Sequence, residues 1–267
     1  MIQHIDKFLL FEEYMKLTGT PSLDDEPGNN PALKGKKLGV VNGSSWVSLW
    51  STWFGKSILP GVKIINVGNE AVQLNFMQAH KQGLPCPPQI NIDLFCQYAE
   101  QLYRLYNVDA VLISCSTMNR AFPQVQQHMK KFGIPVVQID EAMMEEAAMS
   151  DGKILVIATH GPTVKSTQDL LSETAARLNR KISFAGATIE DAFHLLGEGK
   201  ISEHNQLIAD TILEAQQKEK IDIVVLAQLS MSVFSFSYPD PEKTFGVKVL
   251  NSGETGFVRA GKILMGE

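Results

Sequence analysis

The sequence predicts an α/β protein of two pseudo-symmetric lobes with parallel sheets and an active site in the cleft between them. Three observations carry this. Apolar, β-branched runs end repeatedly in small polar residues before a helix-like segment, the pattern of buried parallel strands opening into strand-to-helix turns. The chain also copies itself: Val108-Asp-Ala-Val-Leu-Ile-Ser-Cys115 and Ile221-Asp-Ile-Val-Val-Leu-Ala-Gln228 align Asp to Asp, and Gln228 falls where Cys115 stands. Finally, the interval from the first strand to Cys115 nearly equals the interval from Lys153 to Gln228, so the match preserves order along the chain. Two βα lobes of common design account for such a match. In open α/β sheets, ligands sit beyond the carboxyl ends of the strands.

The elements follow in order. Ile2 to about Leu17 carries apolar Ile5, Phe8, Leu9 and Met15 among charges, an amphipathic helix expected to pack on the body or on a partner subunit. Thr18–Asn30 is turn-rich and acidic and reads as a linker. Lys37–Val41 is the first strand, and in the turn Asn42-Gly-Ser-Ser45 a serine can cap the next helix. Trp46, Trp50 and Trp53 then share one helical face, a core or interface stripe, with Trp46 placed to wall a pocket. Val62–Val67 is a strand, Gly83–Pro88 a loop and Asn91–Tyr106 a helix. After the Cys115 strand come a helix near Ala121–Lys131, the strand Pro135–Ile139, and the helix Glu141–Met149 as the crossing between halves.

The second half opens on Lys153-Ile-Leu-Val-Ile-Ala-Thr-His-Gly-Pro-Thr163, a lysine, an apolar strand and a small polar turn like the first. Ile182–Thr188 mirrors the second strand, and Ile201–Lys218 mirrors the 91–106 helix. Pro239–Pro241 is a turn, Val247–Leu250 a short strand and Gly253–Met265 a terminal helix that returns to the first lobe. The expected division is therefore an arm and linker over 1–34, a first lobe over 35–140 plus 250–267, and a second lobe over 141–249.

Composition narrows the function. The 267 residues suffice for one large domain or two small lobes, and 44% hydrophobic with 20% charged residues is ordinary for a soluble globular chain. A net charge of −5 argues against a nucleic-acid partner. No apolar run reaches the roughly 18 residues of a membrane span, and no secretory leader is evident. Cys86, Cys96 and Cys115 are an odd number without metal-ligand spacing, and they read as cytoplasmic thiols. The histidines are scattered, so no metal site is expected. Neither phosphate-binding glycine motif follows the first strand, which disfavours dinucleotides and nucleoside triphosphates.

Among candidate site residues Cys115 comes first. A thiol at a helix N-terminus can have its pKa lowered from about 8.5 and act as base or nucleophile. Its neighbours Ser114, Ser116, Thr117 and Asn119 are more polar than an inert core position requires. Asn42-Gly43-Ser44, Ser116-Thr117, Thr159 with Thr163, and Gln228 with Ser230 stand at equivalent strand ends. Converging there, hydroxyls and backbone N–H groups would bind a small carboxylate without arginine. His160, beside Thr159, is a candidate acid or base.

These residues resemble a known family. Leu112-Ile-Ser-Cys-Ser-Thr-Met-Asn119 resembles the first cysteine motif of the aspartate/glutamate/hydantoin racemases, and Gly152–Thr163 is similar to their strand ending in a Thr-x-Gly-Thr-like turn. The resemblance spans about residues 36–260. It implies flavodoxin-like lobes, no cofactor, a homodimer, and two cysteines that move a proton at the carbon next to a carboxylate. By position Cys115 matches the first cysteine, with Ser116 and Thr117 in carboxylate-binding places, Asn42 after the first strand, and Thr159 and Thr163 in the second-lobe turn. The departure is Gln228, which stands where the second cysteine belongs and has no pKa suited to proton transfer. The expected function is a cofactor-independent racemase or epimerase acting α to the carboxylate of a small acid. The alternatives are a single-cysteine decarboxylase, a cis–trans isomerase of a dicarboxylate, or a non-catalytic carboxylate-binding protein.

Overall fold

The computed structural model describes residues 6–19, 27–150, 152–159 and 161–267. Strands β1 (Lys37–Asn42), β2 (Lys63–Gly68), β3 (Ala110–Ile113) and β4 (Val136–Gln138) form one parallel sheet in the order β2-β1-β3-β4. Strands β5 (Lys153–Ala158), β6 (Ser183–Thr188), β7 (Ile223–Leu226) and β8 (Lys248–Asn251) form a second parallel sheet in the equivalent order β6-β5-β7-β8. The two-lobe parallel architecture predicted from the repeat is present, each strand leading through a helix to the next.

The repeat extends to individual hydrogen bonds. In the first lobe the Lys37 backbone N–H donates to Asp109 Oδ2 at 2.8 Å, and in the second the Lys153 N–H donates to Asp222 Oδ2, also at 2.8 Å. The aspartates that align the two stretches therefore do the same work, tying the start of the third strand to the start of the first. At the other end Ser114 N–H donates to Val41 O at 3.1 Å, and Ala227 N–H to Ile157 O at 2.9 Å. Cys115 and Gln228, one residue further on, are thus brought to matching positions past their sheets.

The central strands are buried almost throughout, as their continuous Val/Ile/Leu runs require of parallel strands covered on both faces. Helix Gln89–Tyr106 lays Ile92, Phe95, Ala99 and Leu102 on one face of the first sheet, and helix Ile201–Lys218 lays Ile208, Ala209 and Ile212 on the second. Helix Glu141–Ala148 crosses between the lobes, with Met143, Met144 and Ala147 in the core of the second.

The C-terminal helix Ser252–Met265 puts Phe257, Ala260 and Leu264 into the first-lobe core beside Leu38, Phe54 and Ile139. The boundary expected at 250 falls inside β8, which pairs with β7, so the return to the first lobe begins at Ser252. A Cβ on Gly256 would stand 2.5 Å from the Ile139 carbonyl oxygen, so only glycine lets this helix lie so close to the end of β4. Arg120 Nη1 donates to both carboxylate oxygens of Glu173, at 2.7 and 2.8 Å, joining the turn after Cys115 to helix Gly161–Arg177 of the other lobe.

In the N-terminal arm, helix Lys7–Thr18 begins on Asp6, whose Oδ1 accepts the N–H groups of Phe8 and Leu9, and ends on left-handed Gly19. It lies by helix Ser48–Ile58 without burying any residue. The arm's residues 1–5 and 20–26 fall outside the described residues.

Candidate active site

A cavity of about 270 Å³ opens between the carboxyl ends of the two sheets. The first lobe lends it Gly43, Ser44, Ser114, Cys115, Ser116 and Thr117, and the second lends Thr163, Gln228, Leu229 and Ser230. The strand-end turns paired by the repeat do converge here.

The Cys115 thiol is half-buried and lies 3.1 Å from Thr117 Oγ1. It rests on Gly43, where a Cβ would come within 2.4 Å of Sγ. Sequence reasoning expects a lowered thiol pKa at this helix start, and the structure reverses that expectation. Burial pushes the Cys115 thiol up, outweighing the Thr117 hydroxyl and the Met118 and Thr117 amides, and the nearby Asp140 carboxyl adds to the rise. The chain past Cys115 is also a short 3-10 segment, Ser116–Ala121, rather than a long helix with its full dipole.

Two further expectations change. Ser44 precedes the 3-10 turn Ser45–Val47 but makes no capping bond; its Oγ is buried beside the cavity without a partner among the described residues. Asn42 is wholly buried and does not line the cavity among the described residues. Its Oδ1 accepts from Ser51 Oγ at 2.7 Å and from Ser114 Oγ at 2.5 Å, while its Nδ2 donates to Asn66 Oδ1 at 3.0 Å and Val67 O at 3.3 Å. All four of its hydrogen-bonding positions are spent on the lobe, so Asn42 holds the ends of β1, β2 and β3 together and does not reach substrate.

On the facing wall Gln228 is fixed by Thr159. Its Oε1 accepts from the Thr159 backbone N–H at 2.7 Å and from Thr159 Oγ1 at 2.8 Å. A backbone N–H can only donate, so the amide orientation is settled by that contact. Thr159 is consequently buried and occupied, not a direct substrate ligand as its position suggests, while the Gln228 N–H₂ group has no partner among the described residues. His160 lies outside the described residues.

The sequence reading misses two wall elements, helices Glu70–Lys81 and Glu190–Gly197, which bring Gln73, Phe76, Met77, His80, Glu190 and Phe193 to the cavity. Their signals are present: acidic first turns, and buried Val72 and Ala79 or Ala192 and Leu196 at helical spacing. Trp46 does wall the cavity, its Nε1–H donating to Gln73 Oε1 at 3.1 Å. The tryptophan stripe divides, however: Trp46 meets Trp50 edge-on at 5.2 Å, while Trp53 is largely exposed against Phe236. Behind the thiol lies Asp140, missed as well, whose buried carboxyl accepts from Asn119 Nδ2 at 2.6 Å. Among the described residues no cluster of three His, Cys, Asp or Glu side chains suited to a metal ion occurs.

Residues 91–260 match the family model described as Asp/Glu/Hydantoin racemase. The chain belongs to that family. No curated protein matches the sequence. The racemase fold is nonetheless close to solved ones. A glutamate racemase from Francisella tularensis subsp. tularensis SCHU S4, in complex with D-glutamate, is 21% identical over 86% of this chain and 81% of that one, with a TM-score of 0.62. An aspartate racemase homologue from Pyrococcus horikoshii OT3 is 18% identical over 87% and 100%, with a TM-score of 0.61. The allantoin racemase of Klebsiella pneumoniae is 17% identical over 87% and 89%, with a TM-score of 0.58. This member of the racemase family has no cysteine from Glu141 onward, and its second-lobe strand end presents Gln228. No described helix is long and apolar enough to cross a membrane.

Proposed function

We propose that this chain is a cofactor-independent enzyme of the racemase or epimerase type, moving a proton at the carbon α to a carboxylate, with Cys115 as the acid–base group. The observation that carries the reading is the Cys115 thiol on the cavity wall with the buried Ser44 hydroxyl, unpartnered among the described residues, beside it. A buried hydroxyl without a partner is costly, and a bound carboxylate would supply the missing acceptor. Thr117, Thr163 and Ser230 add hydroxyls, and the Gln228 N–H₂ group adds donors from the opposite wall. As the α-carbon loses its proton, negative charge spreads onto the carboxylate oxygens as an enediolate. Fixed donors stabilise that charge by several kcal/mol, about 3 for a single donor in other enzymes.

Because its pKa is raised, the resting thiol carries its proton and is suited to deliver it to an enediolate on its own face. Once the proton is given, the thiolate is the matching base for the reverse step. The other face has no ionisable group at position 228, so water from the open mouth carries that proton. The Gln228–Thr159 lock favours a second reading on the same groups: a decarboxylation in which Cys115 protonates one face of the enediolate left by carbon dioxide, or a cis–trans isomerisation in which the thiolate adds to the double bond and leaves again after rotation.

Incubation with candidate α-substituted carboxylates in deuterated water tests the proposal. Wild type is expected to place deuterium at the α-carbon, and Cys115→Ser to lose that exchange while still binding the carboxylate. Absence of exchange, of decarboxylation and of cis–trans isomerisation on every carboxylate shown to bind would leave only a binding protein.

A further inference from the structure

The walls of the Cys115 cavity differ sharply from its floor. Hydroxyls and the Gln228 amide gather at the strand ends, whereas the flanks are Trp46, Phe76 and Met77 from one lobe and Phe193 and Leu229 from the other. Among the described lining residues there is no lysine or arginine. Besides Cys115 the ionisable groups among the described lining residues are His80 and Glu190, both exposed at the mouth.

This distribution has a consequence for the ligand. One carboxylate can be received by the hydroxyl and amide donors. A second carboxylate, one or two methylenes away, would face mainly aromatic rings or the Glu190 carboxylate, with the Gln73 amide and the exposed His80 imidazole as its polar company on the described wall, and a desolvated charge without a well-placed cationic or hydrogen-bonding partner is strongly disfavoured. An apolar ring loses nothing by entering that space and gains buried aromatic contact. The indole of Trp46 is held ready for it, fixed at one edge by Gln73 and braced against Trp50. Trp46 and Phe193 also border a neighbouring hollow of about 540 Å³, where Tyr14, Trp50 and Leu196 continue the apolar surface.

We propose that the substrate of this cavity bears a single carboxylate and an apolar, flat side group lodged between Trp46 and Phe193, and that short dicarboxylates are excluded. The inference rests on the Cys115 cleft being the active site. It sets this chain apart from the acidic amino acids named for its structural neighbours.

The test uses non-reacting probes on the full chain, so that binding is read apart from chemistry. Phenylacetate and succinate are titrated calorimetrically against wild type, Cys115→Ser, Trp46→Ala and Glu190→Lys. Phenylacetate is expected to bind at least about tenfold more tightly than succinate to both wild type and Cys115→Ser. Trp46→Ala should weaken phenylacetate by a similar factor. Glu190→Lys, an exposed change that leaves the core alone, should instead improve succinate binding. Succinate binding equal to or tighter than phenylacetate, or no binding of phenylacetate, would overturn the proposal. So would an unchanged phenylacetate affinity in Trp46→Ala. If phenylacetate binds as expected but 2-phenylpropionate and its relatives show no α-deuterium exchange, the substrate class stands and the proton-transfer reading fails. Exchange on dicarboxylates alone would do the reverse, upholding proton transfer and overturning the substrate class.

Discussion

The sulfur of Cys115 sits on the bare Cα of Gly43: a Cβ there would stand 2.4 Å from Sγ and 3.2 Å from the cysteine Cβ. The contact joins the ends of β1 and β3, and it sets where the thiol points. Gly43→Ala leaves the chain two responses, to move the strand end or to swing the thiol. Sγ is the tip of a rotatable side chain, so the thiol gives way and its contact with Thr117 is lost. The expected result is a small change in melting temperature and a fall in turnover of about 10²-fold, the usual cost of misplacing a reacting group by roughly 1 Å. A Gly43→Ala protein with full activity and an unchanged Cys115 alkylation rate would refute this role for the contact.

The raised pKa of Cys115 fixes a pH dependence. With burial as the main cause, the thiol remains protonated through neutrality and ionises only above the ordinary thiol value of about 8.5. Alkylation by iodoacetamide should therefore be slow at neutral pH and rise only in the alkaline range. A step that uses the thiol as proton donor should hold its rate across neutrality and decline there. The stability contribution has the same sign: favouring the protonated form in the fold contributes stability below the ordinary thiol pKa, and it is lost as pH rises through the folded value. Removing the group by Cys115→Ser should cost about 10²–10⁴-fold in exchange, the range for one general acid–base group.

Much of the fold is legible in the sequence, for a physical reason. Lys37 with Asp109, and Lys153 with Asp222, make the same backbone-to-carboxylate bond, so an Asp-to-Asp alignment of two apolar runs carries real geometry. From it follow the paired sheets and the meeting of Cys115 with Gln228 across a cleft. What sequence does not supply is the direction in which each polar strand end turns. Asn42 and Thr159 sit at positions as promising as Ser44 and Thr163, yet the first pair turn inward and spend their polar atoms on the lobes. The direction of the thiol's pKa shift is hidden because helix-start position is visible in a sequence, whereas burial and the approach of Asp140, far along the chain, depend on the packed fold. The aromatic flanks escape sequence reading because they belong to two short helices, Glu70–Lys81 and Glu190–Gly197, that fill gaps between assigned strands.

Asp140 offers a separate check on the electrostatics of the thiol. Burial raises its pKa, against the opposing effect of hydrogen bonds from the Asn119, Ser116 and Ser252 side chains. A raised carboxyl pKa favours the protonated form in the fold, so this contribution to stability is present below the ordinary carboxyl value of about 3.9 and is lost as pH rises through the folded value. Asp140→Asn keeps an oxygen for the Asn119 N–H but removes the charge. It should raise the melting temperature at neutral pH, with the gain shrinking in acid. Because the Asp140 charge also raises the Cys115 pKa, the variant should shift the alkylation profile of Cys115 to lower pH. An unmoved profile would show that the two groups do not communicate.

Asn42 is predicted to matter for stability more than for chemistry. Asn42→Ala takes the acceptor from buried Ser51, leaves buried Ser114 only its long bond to Val41 O, and takes the donor from half-buried Asn66, at about 1–3 kcal/mol for each group left without a partner. Urea unfolding should show a loss of that order or more. Protein that remains folded should still bind carboxylate, since Asn42 lends nothing to the cavity wall. A stable variant that has lost only ligand affinity would return Asn42 to the site.

Gln228 separates holding the fold from holding the ligand, because its two amide ends face different tasks. Its Oε1 belongs to Thr159, whose backbone N–H and Oγ1 both donate to it, and its N–H₂ group, at a residue that lines the cavity, has no partner among the described residues. Gln228→Leu removes both ends. It leaves two buried donors at Thr159 without an acceptor, and the protein should lose about 1–3 kcal/mol for each that water cannot reach. Gln228→Glu keeps an oxygen for Thr159 and changes only the other end, exchanging donors for a carboxylate oxygen that repels an anionic ligand. Its melting temperature should stay near wild type, while affinity for a carboxylate probe falls by about tenfold or more at neutral pH. Acidification should restore part of that affinity, because the glutamate takes up a proton near the ordinary value of about 4.3 and regains a donor. The restoration must be measured against wild type at each pH, since the probe carboxylate also titrates nearby. If Gln228→Glu binds the probe as wild type does, the amide N–H₂ group is not part of the anion pocket, and the second lobe contributes only Thr163, Ser230 and its apolar wall.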